Sequence, residues 1–561
     1  MLVSFGGLLL GVLHRRIDGD EFFFLTNIHR AANNEPLGVL QTAHTHLFGW
    51  LAQIDADEIT KAEVGRFIWL AFWPISLALL YRLGTRLLDP LGAMAAVAFF
   101  ALFSFSVAAA AEFRIDGILL PVLLSIALLL LDPATPRVAA AGGLSAVAVA
   151  LSIKASLWAP AFIGVLAIGL KDQRSKLKPL LAGASAATVT FGIVMFIHYL
   201  LIVENGTRAP NVSPRILSST ASRMMLEEGL FPKLYYLLVS IVQNPVTWMF
   251  LVIGLYLTLA GLRGQPTRKA SLLLLALSLP ILSVAFYANA FPYAYLILFP
   301  TACLLAGRGF SSIIGDGRGL RGFVGLVCLI AAAIPMAKFI WDNRIDGQVH
   351  QKQILSVVHD LFEEPVPYID GVGMVASFPR SIFPMSAWGF KGYKERGAPA
   401  LREYIETRHP PLLVVNTPAL DIWDSASADQ TDSLMSLLPE DREAVRATYA
   451  HYWSHIYLAG RQWRDADAGE EFRFEIIIPG EYTLFAQHPV IIDGQTYEPG
   501  SRVSLQAGRH QVRAILAERD IRLLWGRATE IPSQQPSPIP LFSASFGKTG
   551  PIRCLLPMSL C

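Results

Sequence analysis

Long apolar runs, separated by short polar stretches, occupy the chain from its start to Trp341. Most runs lack charged residues and approach the roughly 20 residues that a helix needs to cross a bilayer. We interpret as spans Leu2–Leu13, Arg66–Leu83, Leu91–Ala110, Ile115–Leu131, Val138–Leu151, Leu157–Leu170, Leu180–Val203, Leu237–Leu262, Ala270–Phe286, Phe291–Ala306 and Phe323–Trp341. The pattern predicts an α-helical polytopic membrane protein with about eleven transmembrane helices.

The pattern changes after Trp341, where the sequence becomes mixed and more polar. Residues 1–341 are therefore the predicted transmembrane domain. Strand-like segments around a helix-like one predict a soluble α/β domain over residues 342–465. Residues 466–530 hold short strand-like segments separated by Pro-Gly, Asp-Gly and Ala-Gly turns, which predicts a β-sandwich-like module. Residues 531–561 are rich in Pro and Ser, and we expect a disordered tail there.

The composition agrees with a membrane protein. Hydrophobic residues make up 53% of the chain and charged residues only 16%, with a mean hydropathy of +0.45. A soluble protein carries nearer ~25% charged residues. The net charge of +2 gives no general attraction to nucleic acid. The apolar start lacks a basic segment and a cleavage pattern, so we expect no removable signal peptide.

The charges of the loops predict an orientation in the membrane. Three short loops are basic, namely Lys171–Lys178, Arg263–Lys269 and Gly307–Gly322, and the positive-inside rule places them in the cytoplasm. Only the basic sequence His14–Arg16 falls on the other side. The outer face then receives Ile17–Lys61, Glu112–Asp116, Ser152–Lys154, Glu204–Lys233, Tyr287–Phe291 and everything after Trp341. The sequence thus predicts a site on the outer surface, beside the soluble region.

Three carboxylates, Asp18, Asp20 and Glu21, follow the first apolar run directly. An ionised acid within the bilayer costs roughly 2.5–3.5 kcal/mol or more, so acids this close to lipid need a reason. One reading is that they mark the end of a membrane helix, and the other is that they face a site. The Asp-x-Asp pattern itself recurs at Asp55 and Asp465, so only the position of the first copy is informative.

A second charged group, Glu112, Arg114 and Asp116, lies at the outer junction of two predicted spans. If it is helical, the two acids share a face at i, i+4 spacing. The group is either a solvated hairpin tip with an internal ion pair, or its acids orient a substrate or a cation. In the second reading, Arg114 binds an anion.

Further cations lie on the predicted outer side. Lys154 is a lone cation between apolar runs, which fits either snorkelling to the interface or a phosphate contact. The outer loop after Glu204 is unusually basic for its side of the membrane. Its cations are Arg208, Arg215, Arg223 and Lys233. Anion binding and lipid head-group contact explain this loop equally well.

Two further motifs carry little weight. His44 and His46 have the spacing of a metal pair, but the sequence shows no third ligand. The four cysteines likewise lack the spacing of a zinc or disulfide framework. The Gly317–Gly322 segment matches GxGxxG literally, but it follows no strand and lies in a basic inside loop. A dinucleotide site is therefore excluded there.

Taken in order, these segments resemble a known family. The acidic DGDE after the first helix is followed by HTHLFGWL, by Arg66 at the start of the next span, by EFRID, by LSIKASLW and by FPYAYLILFP. This order resembles the membrane glycosyltransferases of the GT-C fold, nearest to bacterial relatives of protein O-mannosyltransferase and aminoarabinose transferase. The resemblance covers Met1 to Trp341. The HTHL sequence departs from the Pro-Pro-Leu that is frequent in the family.

The resemblance implies an inverting transfer of a sugar from a polyprenyl-phosphate donor to a lipid, glycan or protein acceptor. It implies catalytic roles for Asp20 and Glu21, with Asp18 as the alternative. Donor-phosphate contacts would come from Lys154, Arg114, Arg208 and Arg215. Substrate contacts would come from Glu112, Asp116, His46, Tyr293 and Tyr295. For the two tyrosines, anchoring at the membrane interface is an equal alternative.

No cofactor is required for this chemistry, although a divalent metal is compatible with it, and no nucleic acid is involved. The expected location is a bacterial inner membrane, with the C-terminal region in the periplasm. Two alternatives stay open: a transporter or flippase of a lipid-linked sugar, and an inactive membrane scaffold that binds glycan.

Overall fold

The computed structural model describes most of the chain. Its described residues are 2–33, 35, 43–171, 176–204, 225, 229–315, 319–380, 382–383, 385–423, 435–526 and 530–542. Arg208, Arg215 and Arg223, which the sequence suggests as anion contacts, lie outside them.

Helices build the first part of the molecule. They are α1 (Leu2–His14), α2 (Gly19–Ala32), α3 (Gly49–Ala52), α4 (Glu58–Thr85), α5 (Pro90–Leu102), α6 (Ser104–Ala110), α7 (Asp116–Leu131), α8 (Thr135–Leu151), α9 (Ala159–Leu170), α10 (Leu177–Glu204), α11 (Leu234–Gln243), α12 (Pro245–Ala260), α13 (Gln265–Ser278), α14 (Tyr295–Leu298), α15 (Ala302–Ile314), α16 (Gly319–Ala332) and α17 (Ile334–Asp342). Short 3-10 helices lie at Ala43–Phe48, Ile153–Trp158, Leu279–Ala285 and Pro292–Ala294.

Several of these helices suit a bilayer. Five helical stretches among the described residues have the length and composition of a span: Glu58–Thr85, Ile153–Leu170, Leu177–Leu201, Thr267–Ala285 and Gly319–Asp342. Shorter apolar helices lie at Phe5–His14, Asp116–Leu131 and Thr135–Leu151. The predicted class, a helical polytopic membrane protein with a C-terminal sheet region, is confirmed. The number of about eleven spans stays a prediction.

Three of the predicted spans are bent in the structure. The bends are 66° between Pro90–Leu102 and Ser104–Ala110, 100° between Leu234–Gln243 and Pro245–Ala260, and 70° between Pro292–Leu298 and Ala302–Ile314. A helix break therefore interrupts each of the predicted spans Leu91–Ala110, Leu237–Leu262 and Phe291–Ala306.

Asn244 lies at the sharpest bend and also contacts the start of α6. Its Oδ1 accepts the Ser104 amide (2.9 Å), and its Nδ2 donates to the Ser104 hydroxyl (2.9 Å). The next residue, Pro245, has no amide proton and disfavours a helical conformation at the residue before it. The Asn244 side chain at one helix break thus satisfies the Ser104 amide at the start of α6, after the other break.

Glycines allow three of the membrane helices to pack backbone to backbone. A Cβ atom at Gly254 of α12 would lie 1.7 Å from the Leu305 carbonyl oxygen of α15. A Cβ at Gly307 of α15 would lie 2.1 Å from the Gly92 carbonyl oxygen of α5. Such close approach is typical of membrane helices that associate through small residues.

Sheets and short helices form the C-terminal region. The helices are α18 (Val349–Leu361), α19 (Ala387–Arg396), α20 (Ala400–Arg408) and α21 (Pro439–Thr448). The strands are β1 (Tyr368–Ile369), β2 (Leu412–Val414), β3 (Tyr449–Trp453), β4 (Ile456–Ala466), β5 (Glu471–Ile476), β6 (Gly480–Phe485), β7 (Val490–Ile492), β8 (Gln495–Tyr497), β9 (Arg502–Leu505), β10 (Gly508–Ala514) and β11 (Glu518–Trp525).

The strands form two sheets. One has the order β1-β2-β4-β11-β6-β9, with β3 also paired to β4, and the other has the order β5-β10-β7-β8. The pair β1–β2 is parallel, and the remaining pairs are antiparallel. Strand β4 pairs with β2 and β3 in its first half and with β11 further along. One sheet therefore runs across residue 465, where the sequence suggests a domain boundary.

The soluble region and the membrane helices share an apolar core. One buried cluster combines Ile17, Phe22 and Ile59 of the first part with Ile354 and Val358 of α18. Burial of such side chains is worth about 1.5–3 kcal/mol each relative to exposure. The soluble region is thus packed directly onto α2 and α4.

Residues 530–542 also pack onto this core, although the sequence suggests disorder from residue 531. Leu541 is buried, and the Trp453 indole donates to the Gln534 carbonyl oxygen (3.0 Å). The Phe542 ring contacts Phe22 edge to face, with centroids 6.0 Å apart. The segment therefore returns to the beginning of the chain.

Candidate active site

Helix α2 begins with a reciprocal cap formed by two of the predicted acids. The Asp18 carboxylate accepts the Asp20 amide (3.0 Å), and the Glu21 carboxylate accepts the Asp18 amide (2.8 Å). Such capping boxes satisfy amide groups that a helix start leaves without partners. The acidic sequence therefore starts the helix and places Asp20 at its first turn.

Glu21 is fully buried, and donors surround its carboxylate. Arg66 binds it in a bidentate manner, with Nε to Oε1 at 2.7 Å and Nη2 to Oε2 at 2.6 Å. The Phe113 amide donates a further bond (2.5 Å). Burial alone raises the pKa of the Glu21 carboxyl, but Arg66 and these hydrogen bonds hold that pKa below its usual value. Glu21 is thus ionised and saturated.

Arg66 also joins the segment before α2 to α4. It is fully buried and donates to the carbonyl oxygens of Val12 (3.2 Å), Arg15 (2.7 Å) and Arg16 (2.9 Å). A bidentate arginine–carboxylate pair with every donor used is among the strong interactions of a protein interior. Arg66 and Glu21 therefore fix the backbone around the acids.

Asp20 differs from its neighbour because half of its side chain is exposed. It forms an ion pair with the Arg114 guanidinium, whose Nε also lies 3.7 Å from Asp116 and 3.9 Å from Glu112. The Arg114 side chain is only 12% exposed. Asp20 is thus an accessible carboxylate beside a largely buried cation.

The pairs continue on both sides of Arg114. Glu112 accepts a bond from Arg15 (2.5 Å). Asp116, at the start of α7, accepts two bonds from the Lys154 ammonium (2.8 and 2.9 Å). Acids and cations therefore alternate where the predicted outer loops Glu112–Asp116 and Ser152–Lys154 meet the acidic segment that contains Asp20. The sequence-predicted residues Asp20, Glu112, Arg114, Asp116 and Lys154 are therefore brought together.

Tyr293 joins this group through its ring. The Arg114 guanidinium carbon lies 3.7 Å from the ring centroid, and the Lys154 ammonium lies 4.5 Å from it. A cation over an aromatic face is attracted by the ring's quadrupole. Tyr293 thus holds both cations on one surface.

Asp18 lies in a more negative environment than Asp20. Burial, followed by the charges of Asp20 and Glu112, raises the pKa of the Asp18 carboxyl to about 7, although Arg114 opposes this. The structure therefore separates three sequence neighbours into a saturated acid, an exposed acid and an acid that titrates near neutrality.

Two predicted substrate residues lie elsewhere. Tyr295 is fully buried in an aromatic cluster with Phe103 and Phe105, its ring centroid 5.1 Å from that of Phe105. His46 lies against His198 with ring centroids 5.1 Å apart. The structure does not bring either residue to Arg114.

Sequence reasoning gave no role to Arg66 or Arg15, which hold the acidic segment. Arg66 had a signal, because a charged residue within the apolar run of α4 needs a partner. Arg15 had a weaker one, because it belongs to the basic sequence His14–Arg16, which falls on the predicted outer side against the positive-inside rule. No group of three or more potential metal ligands occurs in the part of the chain that the structure describes.

No protein-family model matches this chain, and neither does any curated protein. Solved structures do match. ArnT from Cupriavidus metallidurans, bound to undecaprenyl phosphate, aligns with a TM-score of 0.51 and 13% identity over 82% of this chain and 96% of ArnT. The apo oligosaccharyltransferase of Archaeoglobus fulgidus aligns at 0.50 and 9% identity over 90% and 76% of the two chains. Both are membrane glycosyltransferases of one fold.

The chain has the GT-C fold. AglB of Archaeoglobus fulgidus, in complex with an inhibitory peptide and a dolichol-phosphate, agrees with a TM-score of 0.50 and 9% identity over 92% of this chain and 95% of AglB. The fold that the sequence predicts is therefore confirmed. At these identities the likeness concerns the GT-C architecture alone.

Proposed function

We propose that this protein is an inverting glycosyltransferase that moves a sugar from a polyprenyl-phosphate donor to an acceptor hydroxyl at the outer face of a bacterial inner membrane. The C-terminal region then lies in the periplasm. Two observations support the donor class. The GT-C neighbours ArnT and AglB were solved with undecaprenyl phosphate and dolichol-phosphate, and this chain carries a cation cluster beside an exposed acid.

Asp20 is the proposed general base, and its exposed carboxylate beside Arg114 is the observation that carries the proposal. The acceptor oxygen attacks C1 of the sugar as Asp20 takes the hydroxyl proton. The bond between C1 and the phosphate oxygen breaks, and the lipid phosphate leaves with the electron pair. Direct displacement inverts the configuration at C1.

Arg114 and Lys154 are the proposed phosphate contacts. Fixed cations stabilise the charge that develops on a leaving group most effectively when they are held in place beforehand. Tyr293 and the acids Glu112 and Asp116 hold the two cations here. Glu21 is saturated by Arg66 and Phe113, so we assign it a positioning role, with Asp18 as the alternative base.

The test is donor turnover by purified protein in nanodiscs, supplied with radiolabelled polyprenyl-phosphate sugars and assayed with and without EDTA to address metal dependence. We expect Asp20→Asn to lower turnover about 10²–10⁴-fold, the usual contribution of general base catalysis. The matched control is Asp55→Asn, which changes an exposed aspartate of the second Asp-x-Asp copy and should retain full turnover.

Full turnover by the Asp20→Asn protein would remove Asp20 as the base. Donor binding without consumption by the wild type, together with movement of donor across the membrane, would favour a flippase.

A further inference from the structure

The soluble region holds the backbone of the segment that leads to Asp20. Gln351 of α18 accepts the Ile17 amide on its Oε1 (2.9 Å) and donates from its Nε2 to the Ile17 carbonyl oxygen (2.8 Å). Both residues are fully buried. The same Nε2 donates to the Leu541 carbonyl oxygen (3.0 Å). One glutamine therefore saturates both backbone groups of a residue that lies one position before the cap of α2.

Two neighbouring residues of the soluble region extend this contact. The buried Gln348 donates from Nε2 to the Arg15 carbonyl oxygen (3.1 Å), and the Gly347 amide donates to the His14 carbonyl oxygen (2.8 Å). The backbone from His14 to Ile17 thus bonds to one short stretch of the soluble region.

A second contact is made to α2 itself. The buried Thr26 hydroxyl donates to the Gly373 carbonyl oxygen (2.8 Å). A Cβ atom at Gly19 would lie 2.9 Å from the Val372 side chain. The loop that contains Val372 and Gly373 therefore packs directly against the first turn of α2. Hydrogen bonds hold the loop from Asp370 to Gly373, because the buried Asp370 carboxylate accepts the Gly373 amide on both oxygens (2.8 and 2.9 Å).

We infer that the C-terminal region completes the active site by positioning the Asp20 turn, with Gln351 and Thr26 as the positioning residues. The inference rests on the proposed function and assigns a role to the soluble region. Gln351 acts on Asp20 through the backbone. Ile17, the Asp18 cap and the first turn of α2 are consecutive, so a shift of Ile17 is passed directly to Asp20. A misplacement of about 1 Å at a reacting group can cost about 10²-fold in rate.

The first experiment compares two glutamines of the same helix. We expect Gln351→Leu to lower kcat about 10- to 100-fold, with KM for the polyprenyl-phosphate sugar nearly unchanged, because the phosphate contacts are retained. Gln353→Leu is the control, since Gln353 bonds to the Ser537 amide (2.9 Å) and to no part of the acidic segment that the structure describes. Equal losses in both variants, or a loss confined to KM, would overturn the inference.

The second experiment uses a variant that restores the bonds when protonated. A neutral carboxylic acid at position 351 can accept the Ile17 amide and donate to the Ile17 carbonyl oxygen, whereas a carboxylate cannot donate. Burial raises the pKa of a carboxyl, so the neutral form persists towards neutral pH. We expect the kcat of Gln351→Glu, relative to wild type, to be about tenfold higher near pH 5.5 than near pH 8.5. If the ratio of the Gln351→Glu kcat to the wild-type kcat stays constant across pH, the hydrogen bonds between position 351 and Ile17 do not position the site.

A third measurement does not depend on turnover. Hydrogen exchange of the full-length protein should be faster around residues 14–22 in Gln351→Leu than in wild type or Gln353→Leu. Unchanged exchange around residues 14–22 would overturn the inference that Gln351 holds this backbone, whatever the activity of the variant. If exchange is faster in Gln351→Leu but the wild-type protein transfers no sugar, the hydrogen bonds of Gln351 do hold this backbone, and the proposed function is refuted.

Discussion

At the scale of residues, Asp20 and Glu21 show how adjacent carboxylates acquire different tasks. Glu21 faces the interior, where Arg66 and backbone amides compensate its charge, whereas half of the Asp20 side chain meets solvent. A base needs a free lone pair and access to the acceptor, so of these two residues we propose Asp20 as the base. Substitution of Glu21 should therefore mainly lower stability, whereas substitution of Asp20 should mainly lower turnover.

We predict that Glu21→Gln lowers the thermal unfolding midpoint in detergent. The substitution leaves the buried Arg66 without its counter-charge, and loss of one partner of a buried pair costs about 3–5 kcal/mol. Asp20→Asn is the matched control, because its side chain is half exposed and Arg114 keeps two other acids within 4 Å. Its midpoint should fall far less than that of Glu21→Gln. A wild-type midpoint for Glu21→Gln would show that the pair does not stabilise the fold.

Asp18 predicts a dependence of stability on pH. Its pKa of about 7 in the folded state lies above the unfolded value, so the folded protein binds more protons between about pH 4 and pH 7. Asp18 therefore contributes stability below this window, and the contribution is lost as the pH rises through 7. We expect Asp18→Asn, which keeps a capping oxygen, to lose less stability than wild type between pH 5 and pH 8 in thermal unfolding. Parallel pH profiles would refute the shift.

The separation of Asp20 from Glu21 was beyond the sequence, which placed both at the reaction centre. Their difference depends on Arg66, which lies 45 positions further along the chain, and on which way α2 faces. The grouping of Asp20, Arg114 and Lys154 could be predicted, because the topology puts their loops on one side. Tyr295 could not be told from Tyr293, since both belong to one short aromatic segment.

At the scale of elements, the bent helices and the close glycine contacts belong together. Because α5, α12 and α15 are in backbone contact, they cannot shift relative to one another. The helix breaks at Asn244 and Phe103 therefore set the direction of the segments that follow them. The break at Asn244 had a signal in Pro245. The break after Phe103 had none, because its partner Asn244 is 140 positions away.

We predict that Gly254→Ala lowers the unfolding midpoint, since its methyl group would meet the Leu305 carbonyl oxygen at 1.7 Å. Overpacking of this kind costs about 1–3 kcal/mol. The control is Gly192→Ala on α10, where nothing lies within 4 Å of the new atom, and this variant should be as stable as wild type. Equal midpoints for the two variants would mean that the helices can move apart.

At the scale of the whole molecule, the orientation in the membrane is open to direct test. In a chain with its four cysteines replaced by alanine, we introduce Thr496→Cys or Arg263→Cys at two exposed positions. An impermeant maleimide added to intact bacteria should label position 496 of the soluble region and spare position 263 of a basic loop. The reverse labelling would place the site in the cytoplasm.

The order of biosynthesis gives the returning C-terminal segment a further consequence. Arg16 bonds to the Pro540 carbonyl oxygen across 524 positions (3.0 Å). At about 5–20 residues per second, a ribosome needs roughly 25–100 s to deliver that partner after the first loop has been made. Contacts between such distant positions form slowly. Until residue 540 has been synthesised, the segment before α2 therefore lacks the contact that Pro540 supplies.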